Sequence, residues 1–595
     1  MTKEVEVDVL VSGAGPTGLT LTLTLLRCGV PPDRVRIIDK APTPNDQSRA
    51  LGICSRVMEF FSHLGVAEEF QQHRNFTPTK AGCLYDRGNL IGELSILPSE
   101  EDTTPFDDCA FPPMCILPQF NTEEILSRAV EKAGVKIERG VELKSFKRTE
   151  DNDNCPLECT LSNGKTVTTN WLYGSDGAHS AVRKGAQPPV EFHGAAYGMH
   201  FLLADIKVNP AAPDCPAMNK VTVVMAPNRP ASLFFPLGPD SGRWLAVEKW
   251  DTDTSTSTMG GSQDPSHGPQ RGAETEASTY DRLLGLLSSI NAPLPNLPDE
   301  PPIWVSEFKI HHRIASSYRR GRALIGGDAA HIHSPAGGQG MNTGISDAFN
   351  AGWRLALIAK GKAKSDLMDE YAEERLKVGE EILSLADSLT KGALGVRGGL
   401  SYWFTTKLMG AALALVPLSF RKRGFRVLAQ LDRNYSGCSS IGPDDPSLKG
   451  KGMAPGWRVP PVGSDFASTL AFGEGGVGGM VLFVLNDQAT AEEQTVLMAA
   501  AMKRIETLRS SFGDTLAYRL IVSASSSEEN VQGKKTEVIV DKDGWASKVF
   551  SAPSSEGSIY FVRPDGYVGF RVAGVAAEGG TEKMKQFLGK MVVVS

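Results

Sequence analysis

The chain has 595 residues, enough for several domains at roughly 100–200 residues each. It is 41% hydrophobic and 22% charged, with a net charge of -7. That mildly acidic balance argues against a nucleic-acid partner, which clustered Lys and Arg would serve.

The N-terminus, MTKEVEVDVLVSGAG, has no apolar core or small-residue cleavage site of a signal peptide. Residues 5–11 read as a strand, followed by Gly13-Ala14-Gly15-Pro16-Thr17-Gly18 and an apolar helix. In such a turn Gly13 allows the tight bend and Gly15 lets the backbone approach a pyrophosphate. Gly18 lets the helix pack closely on the strand. The helix start then offers unpaired N–H groups and a positive dipole end to phosphate. A second strand, 34–38, ends in Asp39 about 20 residues beyond the last glycine, where an acid can accept hydrogen bonds from ribose hydroxyls. This pattern predicts a dinucleotide site without choosing NAD or FAD.

A hairpin with Asn163-Gly164 as its turn leads into Tyr173-Gly174-Ser175-Asp176-Gly177-Ala178-His179-Ser180-Ala181-Val182-Arg183. An acid and glycine at a strand end, then Ser and Arg one helical turn apart, suit a loop that caps a helix beside a dinucleotide. Between 186 and 310 the segments 197–208, 220–225, 231–237 and 243–250 read as strands by their aromatic and β-branched content. Alternation along them makes His200 or Leu202, Phe234 or Phe235, and Trp244 or Ala246 candidate pocket residues. Residues 251–278 have almost no apolar content and read as a mobile surface insertion.

The longest motif begins at Gly321-Arg322-Ala323-Leu324-Ile325-Gly326-Gly327-Asp328-Ala329-Ala330-His331. A short buried strand delivers Asp328 to its carboxyl end, where α/β sheets bind ligands. Gly337-Gly338-Gln339-Gly340-Met341-Asn342 then opens a helix whose start could stabilise negative charge on a reduced flavin ring. His331 and His333 read as packed bystanders. Residues 365–435 read as helical, with Glu373, Glu374 and Arg375 on exposed faces. The apolar stretch 408–420 is too short to span a bilayer and reads as a buried helix and its exit. After a turn-rich connector come strands 480–485, 518–523 and 536–540, helices 491–510 and 581–590, and a hairpin 558–572 around Pro564-Asp565-Gly566. The chain's nine cysteines are an odd number without CxxC spacing and read as free thiols in a reducing, cytoplasmic compartment, with no metal site.

The three motifs together, GxGxxG, SDGAHSAVR and GRALIGGDAAHIHSPAGGQGMNTGISDAFNAGWRL, resemble the class A FAD-dependent aromatic monooxygenases, the p-hydroxybenzoate hydroxylase and phenol hydroxylase family. The resemblance spans about residues 5–400 and implies an α/β architecture. A Rossmann-type FAD-binding domain (1–185 and 311–435, the latter with helices) would carry an inserted β-sheet substrate domain (186–310). A thioredoxin-like C-terminal α/β domain (436–595) would follow; no cysteine lies beyond Cys438, so a dithiol role is excluded. The resemblance assigns FAD contacts to Gly13, Gly15, Gly18, Asp39, Arg49, Gln119, Asp176, Gly177, Asp328, Gly338, Gly340, Met341 and Asn342. NADPH or NADH would be a transient reductant, and a C4a-hydroperoxyflavin would pass one oxygen to a phenolic or polyketide-like ring. A homodimer is the family expectation. Leu51 stands where phenol hydroxylases carry an aspartate, so the base expected for a phenol must come from elsewhere. His200, His311 and His312 are the candidates. Alternative readings are a Baeyer–Villiger or epoxidising monooxygenase of the same fold, or a non-catalytic flavin-binding assembly protein.

Overall fold

The computed structural model describes residues 4–45, 50–79, 81–95, 106–150, 152, 154–212, 215–249, 276–293, 301–335, 337–393, 402, 417–460, 478–485, 490–523, 538–541, 544–550, 552, 557–575 and 578–594.

The opening strand β1 (Val7–Ser12) has Val at every second position, with Asp8, Leu10 and Ser12 between, and is almost wholly buried, as a central parallel strand must be. It pairs in parallel with β2 (Val35–Asp39) on one side and Thr166–Gly174 on the other. Ala323–Ile325 adds in parallel to Thr166–Gly174, and Ile137–Arg139 adds to β2. The Asn163-Gly164 hairpin forms as the sequence predicts, joining Leu157–Leu161 to Thr166–Gly174. Between β1 and β2 runs α1 (Pro16–Arg27), buried along most of its length. Its threonines satisfy themselves locally: Thr22 Oγ1 donates to Gly18 O at 2.9 Å and Thr24 Oγ1 to Thr20 O at 2.7 Å. Helix Gln339–Ala359 crosses against α1 through Gly344 and Gly352. A Cβ there would lie 2.5 Å from Thr17 and 2.6 Å from Thr24 respectively.

The second sheet has eight strands, in the order His331–Ile332, Trp304–Ala315, Phe192–Lys207, Ser241–Lys249, Ser232–Pro236, Lys220–Met225, Ala81–Asp86 and Asn89–Ser95. It reaches outside 186–310. Residues 81–95 join it from the first part of the chain, and Trp304–Ala315 runs past 310. One face packs on helix Glu276–Ser289 through Leu202, Ala204, Phe234, Trp244, Ala246, Leu283 and Leu287. The other carries Phe201, Leu203, Leu245 and Val247 with Phe235, Trp304 and Phe308. Of the paired pocket candidates, Leu202, Phe234, Trp244 and Ala246 are therefore core, and Phe235 lies on the opposite face. Of the expected insertion, 251–275 lie outside the described residues. Residues 276–278 are helical, because Leu283 and Leu287 give that segment an apolar face to bury.

Helix Leu367–Ala393 corrects an expectation: Glu374 and Arg375 are buried at 0% and 2% exposure, inside ion networks. Residues 408–416 of the expected buried apolar helix lie outside the described residues. Leu418 and Phe420, at its far end, begin helix Leu418–Leu428 and are exposed.

The C-terminal unit is a five-stranded sheet ordered Val538–Asp541, Ala517–Ser523, Met480–Val484, Ser558–Val562 and Val568–Ala573. The first three are mutually parallel and the last two run antiparallel. Helices Ala491–Phe512 and Glu578–Met591 accompany it, the first opened by a capping box between Thr490 and Glu493. The turn at Pro564-Asp565-Gly566 docks on the first domain. Arg56, on α2 (Ser55–His63, directly after β3, Gly52–Cys54), donates to Asp565 O, and Arg458 pairs with Glu59 at 2.7 Å. Among the described residues no helix is long and apolar enough to cross a membrane, and no His/Cys/Asp/Glu group could hold a metal ion.

Candidate active site: a flavin cradle

The glycine turn after β1 is held from two sides. Gly13 sits at φ +104°, its N–H donating to Ile38 O at 2.8 Å. A Cβ on Gly13 would lie 2.3 Å from Ser175 O, and one on Gly18 would lie 1.9 Å from Gly13 O. Gly15 differs: a Cβ there meets nothing within 4 Å. Two glycines serve close packing, and the third faces open space at the start of α1. Asp39, at the carboxyl end of β2, accepts from Ala14 N at 2.6 Å and Ala41 N at 2.8 Å, so it both braces the turn and borders it.

The second motif leans on the first. Ser175 Oγ donates within reach of Ser12 O and Gly13 O, at 3.1 and 3.0 Å. Asp176 Oδ2 accepts from Ala181 N at 2.8 Å and Val182 N at 3.3 Å, capping helix Ala181–Gly185, while burial pushes its carboxyl pKa up. Gly177 follows at φ +79° with open space about it. Arg183 then ties the second motif to the third. Its guanidinium donates to Ala178 O at 2.6 Å and Ala329 O at 2.7 Å and lies over Phe192 at 3.9 Å. Burial lowers its pKa to about 10.

In the third motif the short helical turn Gly327–Ala329 places Asp328 in the open between buried neighbours. Gly338, at φ +65°, precedes helix Gln339–Ala359. Met341 is half-buried on its first turn. Asn342 is fully buried, and its amide is spent inside the protein. Nδ2 donates to Gly52 O at 2.9 Å and Gly338 O at 2.7 Å, and Oδ1 accepts from Cys54 N at 2.9 Å. It fastens β3 to the helix start. Gly340 lies beside His333, 3.8 Å from where its Cβ would be. Gln119 opens helix Gln119–Lys132, accepting from Ala50 N at 3.2 Å and donating to Glu123 at 2.8 Å. Arg49 lies outside the described residues.

The histidines separate. His331 Nε2 lies 2.8 Å from Asp347 Oδ2, both fully buried, and His333 Nδ1 lies 2.9 Å from Ser334 O. His311 is buried and His312 half-buried at neighbouring positions of Trp304–Ala315, so they point to opposite faces. Alternation puts His312 on the face of Trp304 and Phe308, and His311 on that of Val305. His200 pairs in register with Glu248 and Lys309. Phe235 bridges the Trp304 face to a small apolar cluster of Leu51, Ile116, Leu237 and Met114, and Met114 Cε lies 3.7 Å from a Cβ built on Gly338. Sequence reasoning missed Glu123, Asp347 and Arg375. Each is a charge on a helix, with no local pattern to mark it as buried.

Three loops thus meet at the carboxyl ends of parallel strands, with glycines where backbone must be approached and one carboxylate left open. This is the architecture of a dinucleotide-binding flavoprotein fold. Residues 6–386 match the family described as "FAD binding domain", and the chain belongs to that family. It is 33% identical over 389 residues to 6-methylpretetramide 4-monooxygenase of Streptomyces rimosus, covering 64% of this chain and 61% of that one. It is 28% identical over 406 residues to pentachlorophenol 4-monooxygenase of Sphingobium chlorophenolicum, covering 66% of each. The chain therefore matches somewhat under two thirds of the length of these relatives. Among solved structures, that of aklavinone-11 hydroxylase with FAD and aklavinone aligns over 99% of both chains, with TM-score 0.71 and 21% identity. The anhydrotetracycline hydroxylase of Streptomyces rimosus aligns over 98% of both, with TM-score 0.65 and 26% identity. The likeness of fold thus extends through the C-terminal unit.

Proposed function

We propose that the protein is an FAD-dependent monooxygenase that consumes NAD(P)H and hydroxylates an aromatic ring, phenolic or polyketide-like. The observation that carries this reading is the cradle itself. Gly15 opens on empty space, Asp328 is exposed between buried neighbours, and Ser175 and Arg183 lock the three loops into one concave edge. The names of most relatives supply the reaction class: they are monooxygenases or hydroxylases, among them those named for 6-methylpretetramide, pentachlorophenol and anhydrotetracycline, although one is a dialkyldecalin synthase.

FAD fits the residues present and, when bound, carries electrons from the nicotinamide and activates oxygen. Gly15 and the start of α1 would receive the pyrophosphate, Asp39 the adenosine ribose, and Asp328 the far side of the phosphates or the ribityl chain. Gln119, Gly177, Gly338, Gly340 and Met341 would line the remainder. The cluster of Leu51, Met114 and Phe235 makes an apolar wall that excludes water from the reacting ring. His312 is the histidine best placed to accept a phenolic proton, since its strand face is the one that leads to that wall. In the same reading the C-terminal sheet is a thioredoxin-like unit, and the protein is a cytoplasmic homodimer.

The test is direct. Purified protein is assayed for bound FAD and for NADPH oxidation with phenols and polycyclic quinones, and products are weighed. Stimulated oxidation with a product heavier by one oxygen is expected. Oxygen inserted next to a ketone carbonyl, or across an alkene, would move the reading to Baeyer–Villiger or epoxidising chemistry. FAD retained without any stimulated oxidation would favour a non-catalytic flavin-binding protein.

A further inference from the structure

The turn that presents Asp328 is three residues long and closes with one bond of its own, Ala330 N donating to Gly327 O at 2.8 Å. Further support comes from Arg183, which donates to Ala329 O, and from Asp347, one helical element away. Asp347 Oδ2 accepts from Gly327 N at 2.9 Å, at the entry to the turn, and meets His331 Nε2 at 2.8 Å, just beyond its exit. Asp347 Oδ1 accepts from Arg375 Nε at 2.6 Å. One carboxylate therefore clamps both ends of the turn while a guanidinium holds it from behind. All three side chains are at most 2% exposed, so none of these bonds exchanges easily with water.

The chain of contacts does not end there. Arg375 Nη1 donates to Tyr435 Oη at 2.9 Å, and the Tyr435 ring packs edge-on against Tyr567, centroids 4.6 Å apart. Tyr567 directly follows the Pro564-Asp565-Gly566 turn of the C-terminal unit. The residue beside Arg375, Glu374, is gripped by Arg563 from the same hairpin, at 2.6 and 2.9 Å. Two successive residues of helix Leu367–Ala393 thus receive the C-terminal unit, and one of them steadies the clamp. A buried carboxylate of this kind holds its geometry only while its cation stays opposite.

We propose that Asp347 is a positioning residue for the cofactor-binding turn, and that the C-terminal unit maintains that position through Tyr567, Tyr435 and Arg375. This rests on the reading that Asp328 contacts FAD. It gives the C-terminal unit, which has no dithiol, a task in cofactor retention at a site it does not line.

The experiment uses the full chain, stripped of flavin, with Tyr435→Phe and Asp347→Asn, and Asp328→Asn alone and combined with Tyr435→Phe. Two quantities are read: the FAD dissociation constant from flavin fluorescence, and amide hydrogen exchange of the peptide around 324–331 without flavin. Tyr435→Phe removes one hydroxyl and is expected to weaken FAD roughly three- to tenfold and to speed that exchange. Asp347→Asn should do both more strongly. The combination with Asp328→Asn should weaken FAD by less than the product of the single effects, since both act through one turn. Unchanged affinity and exchange in Tyr435→Phe would overturn the proposal. So would weakened FAD that follows a lowered melting temperature with exchange at 324–331 unaltered, or a fully multiplicative combination. If Asp328→Asn alone binds FAD normally, the reading of Asp328 fails, while the exchange data still decide whether Asp347 and Tyr435 hold the turn.

Discussion

Two charged regions of the first domain lie on opposite sides of helix Gln339–Ala359, and they use their charges in opposite ways. At the glycine-turn edge, acceptors are left open. Asp328 is exposed and has no hydrogen-bond partner among the described residues, and Gly15 has nothing within 4 Å of its Cβ direction. At the junction with the C-terminal hairpin the buried guanidiniums of Arg56, Arg354, Arg458 and Arg563 each face a carboxylate, although Nε of the first three stays unbonded. Glu374 accepts from Arg354 at 2.8 Å, Arg563 at 2.6 and 2.9 Å, Asn350 at 2.8 Å, and Ser440. Those cations hold its carboxyl far below the ordinary range despite complete burial. Beside it, Arg458 joins Glu59 to Asp108, and Arg426 grips Asp108 from the other side. A ligand site keeps its polar groups in reserve, whereas a built interface must pair each charge, because a buried charge without a partner is costly.

The largest effect should come from breaking the filled region. Glu374→Gln leaves Arg354 buried without its carboxylate partner and Arg563 paired with Asp565 alone, and a loss of about 3–5 kcal/mol is expected in urea unfolding. A loss under ~1 kcal/mol would mean that water reaches the junction and the contrast fails. The open region gives a paired test. Gly18→Ala forces a Cβ against Gly13 O and should cost about 2–3 kcal/mol of flavin-free stability as well as FAD. Gly15→Ala should leave the flavin-free melting curve alone and still weaken FAD, since its Cβ enters only the space reserved for ligand. Equal destabilisation by both would show that Gly15 is packed like its neighbours.

How much of this was legible in the sequence follows from the same contrast. Ligand loops are contiguous, so Gly13-Ala14-Gly15, Asp176-Gly177 and Gly327-Asp328 announce themselves by spacing. The strands at 220–225 and 480–484 were equally plain, because alternation and β-branching are local properties. What stayed hidden is non-local. Glu374 and Arg375 read as exposed charges, since nothing within their helix shows that Arg563 and Asp347 lie opposite them. The bonds from the Asn342 amide to Gly52 and Cys54 were hidden too, since its motif cannot show residues so far back in the chain. Residues 81–95 read as part of the nucleotide domain because their partner, Lys220–Met225, lies far along the chain.

Glu123 stands between the two regimes. It is buried beside Gln119 near Asp39, and burial pushes its pKa up to about 7. A carboxyl whose pKa is raised on folding stabilises the fold fully below its unfolded value, near 4.5. That contribution is lost as pH climbs to about 7. Flavin-free protein should therefore lose about 3 kcal/mol between pH 4.5 and 8 from this group, and Glu123→Gln should flatten that slope. An unaltered slope in the variant would mean that Glu123 is ionised throughout and belongs with the compensated charges of the junction.

The smallest effect expected is also the one that reaches the chemistry. His311 and His312 are neighbours on Trp304–Ala315, so alternation gives them different surroundings: Val305 and the helix-covered core for one, Trp304 and Phe308 for the other. Only the second face leads through Phe235 to Leu51 and Met114 and on to Gly338, where the ring of the cofactor would lie. A base must come within hydrogen-bond reach of the proton it takes, and His312 is proposed on that ground. His312→Gln should lower product formation roughly tenfold at neutral pH, with FAD affinity unchanged. His311→Gln, on the covered face, should change stability and leave product formation in place. The reverse pattern would put the substrate against the other side of the sheet. A flat result in both would shift the search to His200, whose register opposite Glu248 and Lys309 keeps it near the same strands.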